Sequence, residues 1–182
     1  MKIVTVGRGR IGGSLAAIWS KAGHEVSTLG RDGGDGSTAD VVLVAVPGQA
    51  IAAALANVTG IDGKVTLDAT NSYGQRTGEF ASLAHQIKSI IGGPTAKSFN
   101  TNWAALYDRI GEQRVPPGNL FAADPDARQV AEQLIVDAGF DPVFAGNLEN
   151  ARLLEDHLPL TQAIASAGLG PFFYRIAKPG QL

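Results

Sequence analysis

The chain contains no cysteine. Disulfide frameworks, cysteine-bound zinc and thiol nucleophiles are therefore excluded. The same lack suits a cytoplasmic protein, where disulfides seldom form. Histidine is scarce, with three residues in 182, and no pair of histidines stands at metal-ligand spacing with a carboxylate. Lysine plus arginine (15) nearly balance aspartate plus glutamate (17), without a run of like charge. A nucleic-acid surface or a membrane-binding stripe would need such a run, so neither partner is expected. No apolar stretch approaches the length of a membrane span. Lys2 and the short run Ile3–Val6 lead straight into glycines, so no secretory leader is expected.

Glycine, in contrast, is abundant at 23 residues, but it punctuates the chain and builds no low-complexity tract. The length suits one domain spanning 1–182, with a core to about residue 146 and C-terminal helices over about 147–178. Ile3–Val6, Glu25–Leu29, Val41–Val46, Lys64–Asp68, Thr95–Phe99, Asn119–Ala122 and Pro142–Ala145 read as strands. Ile11–Ala22, Pro47–Asn57, Thr77–Lys88, Trp103–Ile110 and Pro125–Ala138 read as helices. A longer apolar stretch, Asn147–Ala167, reads as helix interrupted near Pro159. This alternation predicts an α/β fold, a doubly wound parallel sheet with a C-terminal helical appendage. The link Gly30–Ser37 is too glycine-rich for a helix.

Gly7-Arg8-Gly9-Arg10-Ile11-Gly12 falls between the first strand and the first helix. There, the spacing marks a dinucleotide site. The first glycine permits the tight turn, the second lets backbone approach a pyrophosphate, and the third lets helix and strand pack closely. The phosphates would meet the positive end of the helix dipole. Arg8 and Arg10 either lie along a phosphate or are solvated at the loop edge. At the end of the second strand, Ser27 to Gly30 offer no acid for a ribose 2′-hydroxyl. Arg31 suits a 2′-phosphate, so NADP(H) is the expected cofactor. A two-residue shift would bring Asp32 to the ribose instead.

The next strand ends should ring the far half of the ligand: Val46 and Pro47, then Thr70 and Asn71, then Ser98, Phe99 and Asn100. Asn71 and Asn100 offer donors and acceptors but are neither acids nor bases. The acid–base inventory is thin. His24 and His85 read as surface residues, and His157 as packed or exposed on its helix. Hydride exchange between two carriers needs no fixed proton donor, whereas ketone reduction does.

These segments fall in the order of a known family. Gly7–Gly12, Val41–Pro47, Leu67–Asn71, Lys97–Thr101 and Ala145–Glu155 resemble the NADP oxidoreductases dependent on the deazaflavin coenzyme F-420, and the dinucleotide-binding proteins around them. The resemblance runs from Lys2 to Ile176. It implies a Rossmann-like domain, a homodimer, and hydride transfer between NADPH and the deazaflavin. It carries Gly9, Arg10, Ile11, Arg31, Val46 and Pro47 onto positions facing NADP, and Ser98, Phe99 and Asn100 onto the nicotinamide segment. Against the family, the stretch from Arg31 to Asp40 is short and lacks a second basic residue for the 2′-phosphate. Two other functions stay open. One is a reductase of a small carbonyl or imine, with Tyr73, Tyr107 or His157 as proton donor. The other is a non-enzymatic NADP-binding sensor. The apolar residues Leu153, Leu154, Leu158, Leu160, Ile164 and Leu169 predict a face that either meets a partner copy or packs on the sheet.

Overall fold

The computed structural model describes residues 1–72 and 78–180. In chain order it comprises β1 (Lys2–Val6), α1 (Arg10–Lys21), β2 (Glu25–Leu29), β3 (Gly34–Asp35), β4 (Val41–Val44), α2 (Ile51–Leu55), β5 (Val58–Thr59), β6 (Val65–Asp68), α3 (Leu83–Ile91), β7 (Thr95–Lys97), β8 (Gly118–Ala123), α4 (Pro125–Asp137), β9 (Asp141–Phe144) and α5 (Ala151–Ile164). Seven strands form one sheet in the order β2-β1-β4-β6-β7-β8-β9. Every pairing in it is parallel except that of β7 with β8.

That antiparallel pairing departs from the all-parallel expectation for a physical reason. A parallel partner requires a crossover that returns the chain to the opposite end of the sheet. The link from β7 to β8 holds only a 3-10 stretch, Ala104–Glu112, and no α-helix. The same tightening replaces the helix expected over Trp103–Ile110.

The sheet is covered on both faces. Ile3, Val41, Leu43 and Leu67 pack with Leu15 and Trp19 of α1 and Leu134 of α4. Val4, Val6, Val42 and Val44 pack with Ile51 and Leu55 of α2 and Ile87 and Ile91 of α3. Successive side chains of a strand alternate faces, so the unbroken run Val41–Val44 serves both cores. The buried indole N–H of Trp19 donates to the Leu134 carbonyl at 2.8 Å, which ties α1 to α4.

Between β2 and β4 the chain forms a loop, as its glycines predict. Within it β3 pairs with β5 as a two-stranded side sheet, leaving β2 at the edge of the main sheet. The helix expected from Pro47 to Asn57 is shorter. It consists of a 3-10 turn, Gly48–Ala50, and α2, because the Asn57 backbone carbonyl is taken by the N–H of Gly34. The helix expected over 77–88 begins at Leu83, where the Ser82 hydroxyl accepts the N–H of His85 as an N-cap. Thr77 lies outside the described residues. The expected break at Pro159 is absent. Pro159 faces solvent, and the irregularity falls at Ala165–Leu169, around Gly168 at φ 118°. Of the apolar residues on this C-terminal segment, Leu154 is buried, whereas Leu153, Leu160, Ile164 and Leu169 are exposed. No helix among the described residues is long and apolar enough to cross a membrane.

Candidate functional site

The carboxyl ends of β1, β4, β6 and β7 converge around the start of α1. Gly7 adopts φ 106° and donates its N–H to the Leu29 carbonyl at 3.0 Å. A Cβ there would stand 2.4 Å from the Ala45 carbonyl oxygen, and one on Gly12 would stand 1.9 Å from the oxygen of Gly7. These two glycines are closed in by backbone. Gly9 differs: nothing lies within 4 Å of where its Cβ would be. It caps α1 without a side-chain hydrogen bond, so the first N–H groups of the helix face the same open space. The positive end of the helix dipole points there as well.

That space is a cleft of about 740 Å³. It is lined by Gly7, Arg8 and Gly9, by Gly30, Arg31 and Asp32, by Ala45, Val46 and Pro47, and by Ala50, Ala53, Ala54 and Asn57. The alanines and Pro47 give one apolar wall, whereas the loops opposite carry the charges. Gly30 to Gly33 is a tight turn, with the Gly33 N–H donating to the Gly30 carbonyl at 3.2 Å. Asn57 fixes this turn through its Nδ2, which donates to the Arg31 carbonyl at 3.3 Å. Gly33, at φ 72°, packs so closely on Asn57 that a Cβ would meet its carbonyl oxygen at 1.7 Å.

On the other side of the α1 N-terminus lies a chamber of about 250 Å³. Arg10 and Ile11 form its lip, Asn71, Asn100, Thr101, Asn102 and Trp103 one wall, and Leu158, Thr161 and Gln162 of α5 another. Asn71 and Asn100 are locked together. Asn71 Nδ2 donates to the Asn100 carbonyl at 2.7 Å, while Asn100 Nδ2 donates to Asn71 Oδ1 at 3.0 Å and to the Leu154 carbonyl at 2.9 Å. Among the described residues, the Oδ1 of Asn100 and the Nε1 of Trp103 are buried without a hydrogen-bond partner. Such orphans are rare in folded proteins and are costly unless a ligand or water meets them.

Beneath the chamber sits a buried ion network. Lys97 Nζ contacts Asp68 Oδ2 at 2.8 Å, the Thr70 carbonyl at 2.6 Å and Glu155 Oε1 at 3.2 Å, and all three charged side chains are fully buried. Asp68 Oδ1 also accepts the Thr70 N–H, and Glu155 Oε1 accepts the Leu83 N–H. One ammonium thus joins the ends of β6, β7, α3 and α5.

The sequence-derived residues therefore divide. Gly7, Arg8, Gly9, Arg31, Val46 and Pro47 line the larger cleft, and Arg10, Ile11, Asn71 and Asn100 line the chamber. Gly12, Thr70, Ser98 and Phe99 line neither. Phe99 is fully buried, its ring edge-on to Trp19 and Phe140. It adopts φ 60°, a left-handed conformation costly for a bulky residue. Its N–H is held by Asn119 Oδ1 and its carbonyl by the Tyr107 hydroxyl. That anchored kink sets the direction of Asn100. Sequence reasoning missed Asn57, Asn102, Thr161 and Gln162, which reach the site from loops and from α5. Only the spacing of Leu158, Thr161 and Gln162 on one helix face hinted at a shared surface.

The proton-donor candidates fare unevenly. Tyr107 is in the core, where burial pushes its hydroxyl far above the usual phenol range. Tyr73 lies outside the described residues. His157 stands beside the ring of Tyr174, and desolvation lowers its pKa. Its imidazole is not among the groups lining the chamber. His24 is no solvated turn residue: Nε2 meets Asp137 Oδ2 at 2.9 Å, with the imidazole mostly covered.

Known structures share this architecture. A protein of Arthrobacter sp. FB24, provisionally assigned as a coenzyme F-420-dependent NADP reductase, superposes with a TM-score of 0.79 at 24% identity. The match covers 98% of this chain and 100% of that one. The fold is Rossmann-like. A protein of Sinorhizobium meliloti matches with a TM-score of 0.64 at 23% identity, over 81% of this chain and 84% of its own. A reductive aminase of Aspergillus terreus, solved with NADPH and ethyl levulinate, matches with a TM-score of 0.67 at 13% identity. That match covers 93% of this chain, which spans only 62% of the aminase. No family model matches the sequence, and neither does any curated protein.

Proposed function

We propose that this chain is an NADP(H)-dependent oxidoreductase that exchanges hydride between NADPH and a deazaflavin or flavin carrier. The observation that carries the reading is the two-sided cavity around Gly9, with cationic loops on one side and neutral amides on the other. A dinucleotide fits this division. The open face of Gly9 and the uncapped N-terminus of α1 suit a pyrophosphate. The orphaned Asn100 Oδ1 can accept from a nicotinamide carboxamide, and the orphaned Trp103 Nε1 can donate to it. When bound, NADPH supplies the hydride. The residues here bind, orient and exclude water. Among the described residues, Arg10 at the lip of the chamber is its one charged lining group. A described lining without a carboxylic acid, tyrosine or histidine favours a ring carrier, which needs no fixed acid.

The chamber size favours one second reading, reduction of a small imine or carbonyl. About 250 Å³ is below the ~300–1,000 Å³ of drug-sized ligand pockets. Anaerobic mixing of the protein with NADPH and oxidised deazaflavin, followed by absorbance, tests the first reading. Bleaching of the deazaflavin supports it. NADPH consumption with a cyclic imine alone transfers the assignment to the second. We also propose a homodimer through the exposed Leu153, Leu160 and Ile164 of α5. A monomeric mass by light scattering at micromolar concentration contradicts it.

A further inference from the structure

The family resemblance leaves Arg31 as the single basic residue of its loop, yet a doubly charged 2′-phosphate is usually held by more than one donor group. The structure brings a second guanidinium to the same place from another loop. A Cβ on Gly30 would stand 2.8 Å from one terminal nitrogen of Arg8 and 2.9 Å from its Cζ and Nε. The guanidinium of Arg8 therefore lies flat across Gly30, immediately before Arg31, and all three residues line the larger cleft. Among the described residues, neither Arg8 nor Arg31 forms an ion pair within the chain.

We propose that Arg8 is a cofactor-specificity residue, forming with Arg31 a two-arginine clamp for the 2′-phosphate of NADP(H), and not a pyrophosphate ligand. The inference rests on the reading of this cleft as a dinucleotide site. The backbone N–H groups at Gly9 and α1 already serve a pyrophosphate, whereas the Arg8 side chain turns away from them toward the end of β2. The end of β2 is where the ribose hydroxyls of a dinucleotide lie in this fold class. Gly30 is part of the device, because any side chain there would displace the guanidinium. The turn itself is braced by Asn57, so Arg31 is offered from a fixed backbone. Two planar forks on one phosphate supply bidentate charge-assisted hydrogen bonds that a ribose 2′-hydroxyl cannot use. Asp32, beside Arg31 in the same turn, would repel that phosphate, and a second cation offsets this repulsion.

The test measures the affinity of wild type, Arg8→Leu and Arg8→Lys for NADPH and NADH, and for 2′,5′-ADP and 5′-AMP. Loss of Arg8 is expected to weaken NADPH and 2′,5′-ADP roughly ten- to a hundredfold. NADH and 5′-AMP are expected to stay within about twofold, with Arg8→Lys intermediate for the phosphorylated pair. Equal losses for both cofactors, or none for either, overturn the clamp. Wild-type protein that binds neither cofactor overturns the reading of the cleft itself. Wild-type binding with an unchanged NADPH-to-NADH ratio in Arg8→Leu sinks the clamp alone.

Discussion

Asn71 and Asn100, at the ends of two neighbouring parallel strands, each donate a side-chain N–H to the other residue, at 2.7 and 3.0 Å. The exchange ties the two amides together and, among the described residues, leaves Asn100 Oδ1 as a buried acceptor without a partner. Asn71→Leu should therefore release Asn100 without touching the larger cleft. Turnover is expected to fall at least about tenfold while NADPH affinity changes little, as expected when a group that orients the reacting ring is lost. The unpartnered amide should cost about 1–3 kcal/mol in urea unfolding. Parallel losses in affinity and rate would show that the pair serves binding and not orientation.

The glycine loop separates folding from binding at neighbouring positions. Gly12→Ala places a methyl 1.9 Å from a backbone oxygen and should destabilise by about 2–3 kcal/mol or more. Gly9→Ala meets nothing in the protein and should stay within about 1 kcal/mol of wild type. It nevertheless narrows the approach to α1, so NADPH affinity should drop at least about tenfold. Thermal melts and fluorescence titration on the two variants check this, and normal cofactor binding by Gly9→Ala would remove the pyrophosphate from this spot.

Lys97 holds two fully buried carboxylates. Lys97→Met should cost about 3–5 kcal/mol, because it removes the buried ammonium that Asp68 and Glu155 share. Lys97→Met combined with Glu155→Gln should recover part of that loss in denaturant unfolding. Additive losses would mean that the three groups do not act as one network.

His157 offers a pH signature. Desolvation lowers its pKa in the folded chain below the ordinary value near 6.5, so the fold favours the neutral ring. Its contribution to stability is present above that ordinary value and is lost as pH falls through it toward the depressed folded value. Wild type should lose more melting temperature between about pH 7 and pH 5 than His157→Gln. Identical pH profiles would contradict the assignment.

The core of this fold was legible where the physics is local. β-branched runs bounded by glycine mark the strands, and the spacing Gly7–Gly12 marks the tight turn into α1, where backbone clearance admits only glycine at Gly7 and Gly12. The antiparallel turn of β8 was hidden, since it depends on a 3-10 link whose tightness no periodicity announces. Phe99 falls in the segment that the family resemblance sets beside a nicotinamide, yet its ring is core. A motif fixes backbone direction and does not say which side chain is spent on packing. The sequence leaves Arg8 between a phosphate contact and the solvated loop edge, because only the folded chain lays it over Gly30. The long C-terminal helix was visible, but its polar face toward the chamber depends on where the strands place it.

Direct titration of the wild-type protein with NADPH and NADH, followed by nucleotide fluorescence, tests the central claim most simply. The account predicts saturable binding of both, with NADPH at least about tenfold tighter through its 2′-phosphate. Equal affinity, or saturable binding of neither, would contradict it.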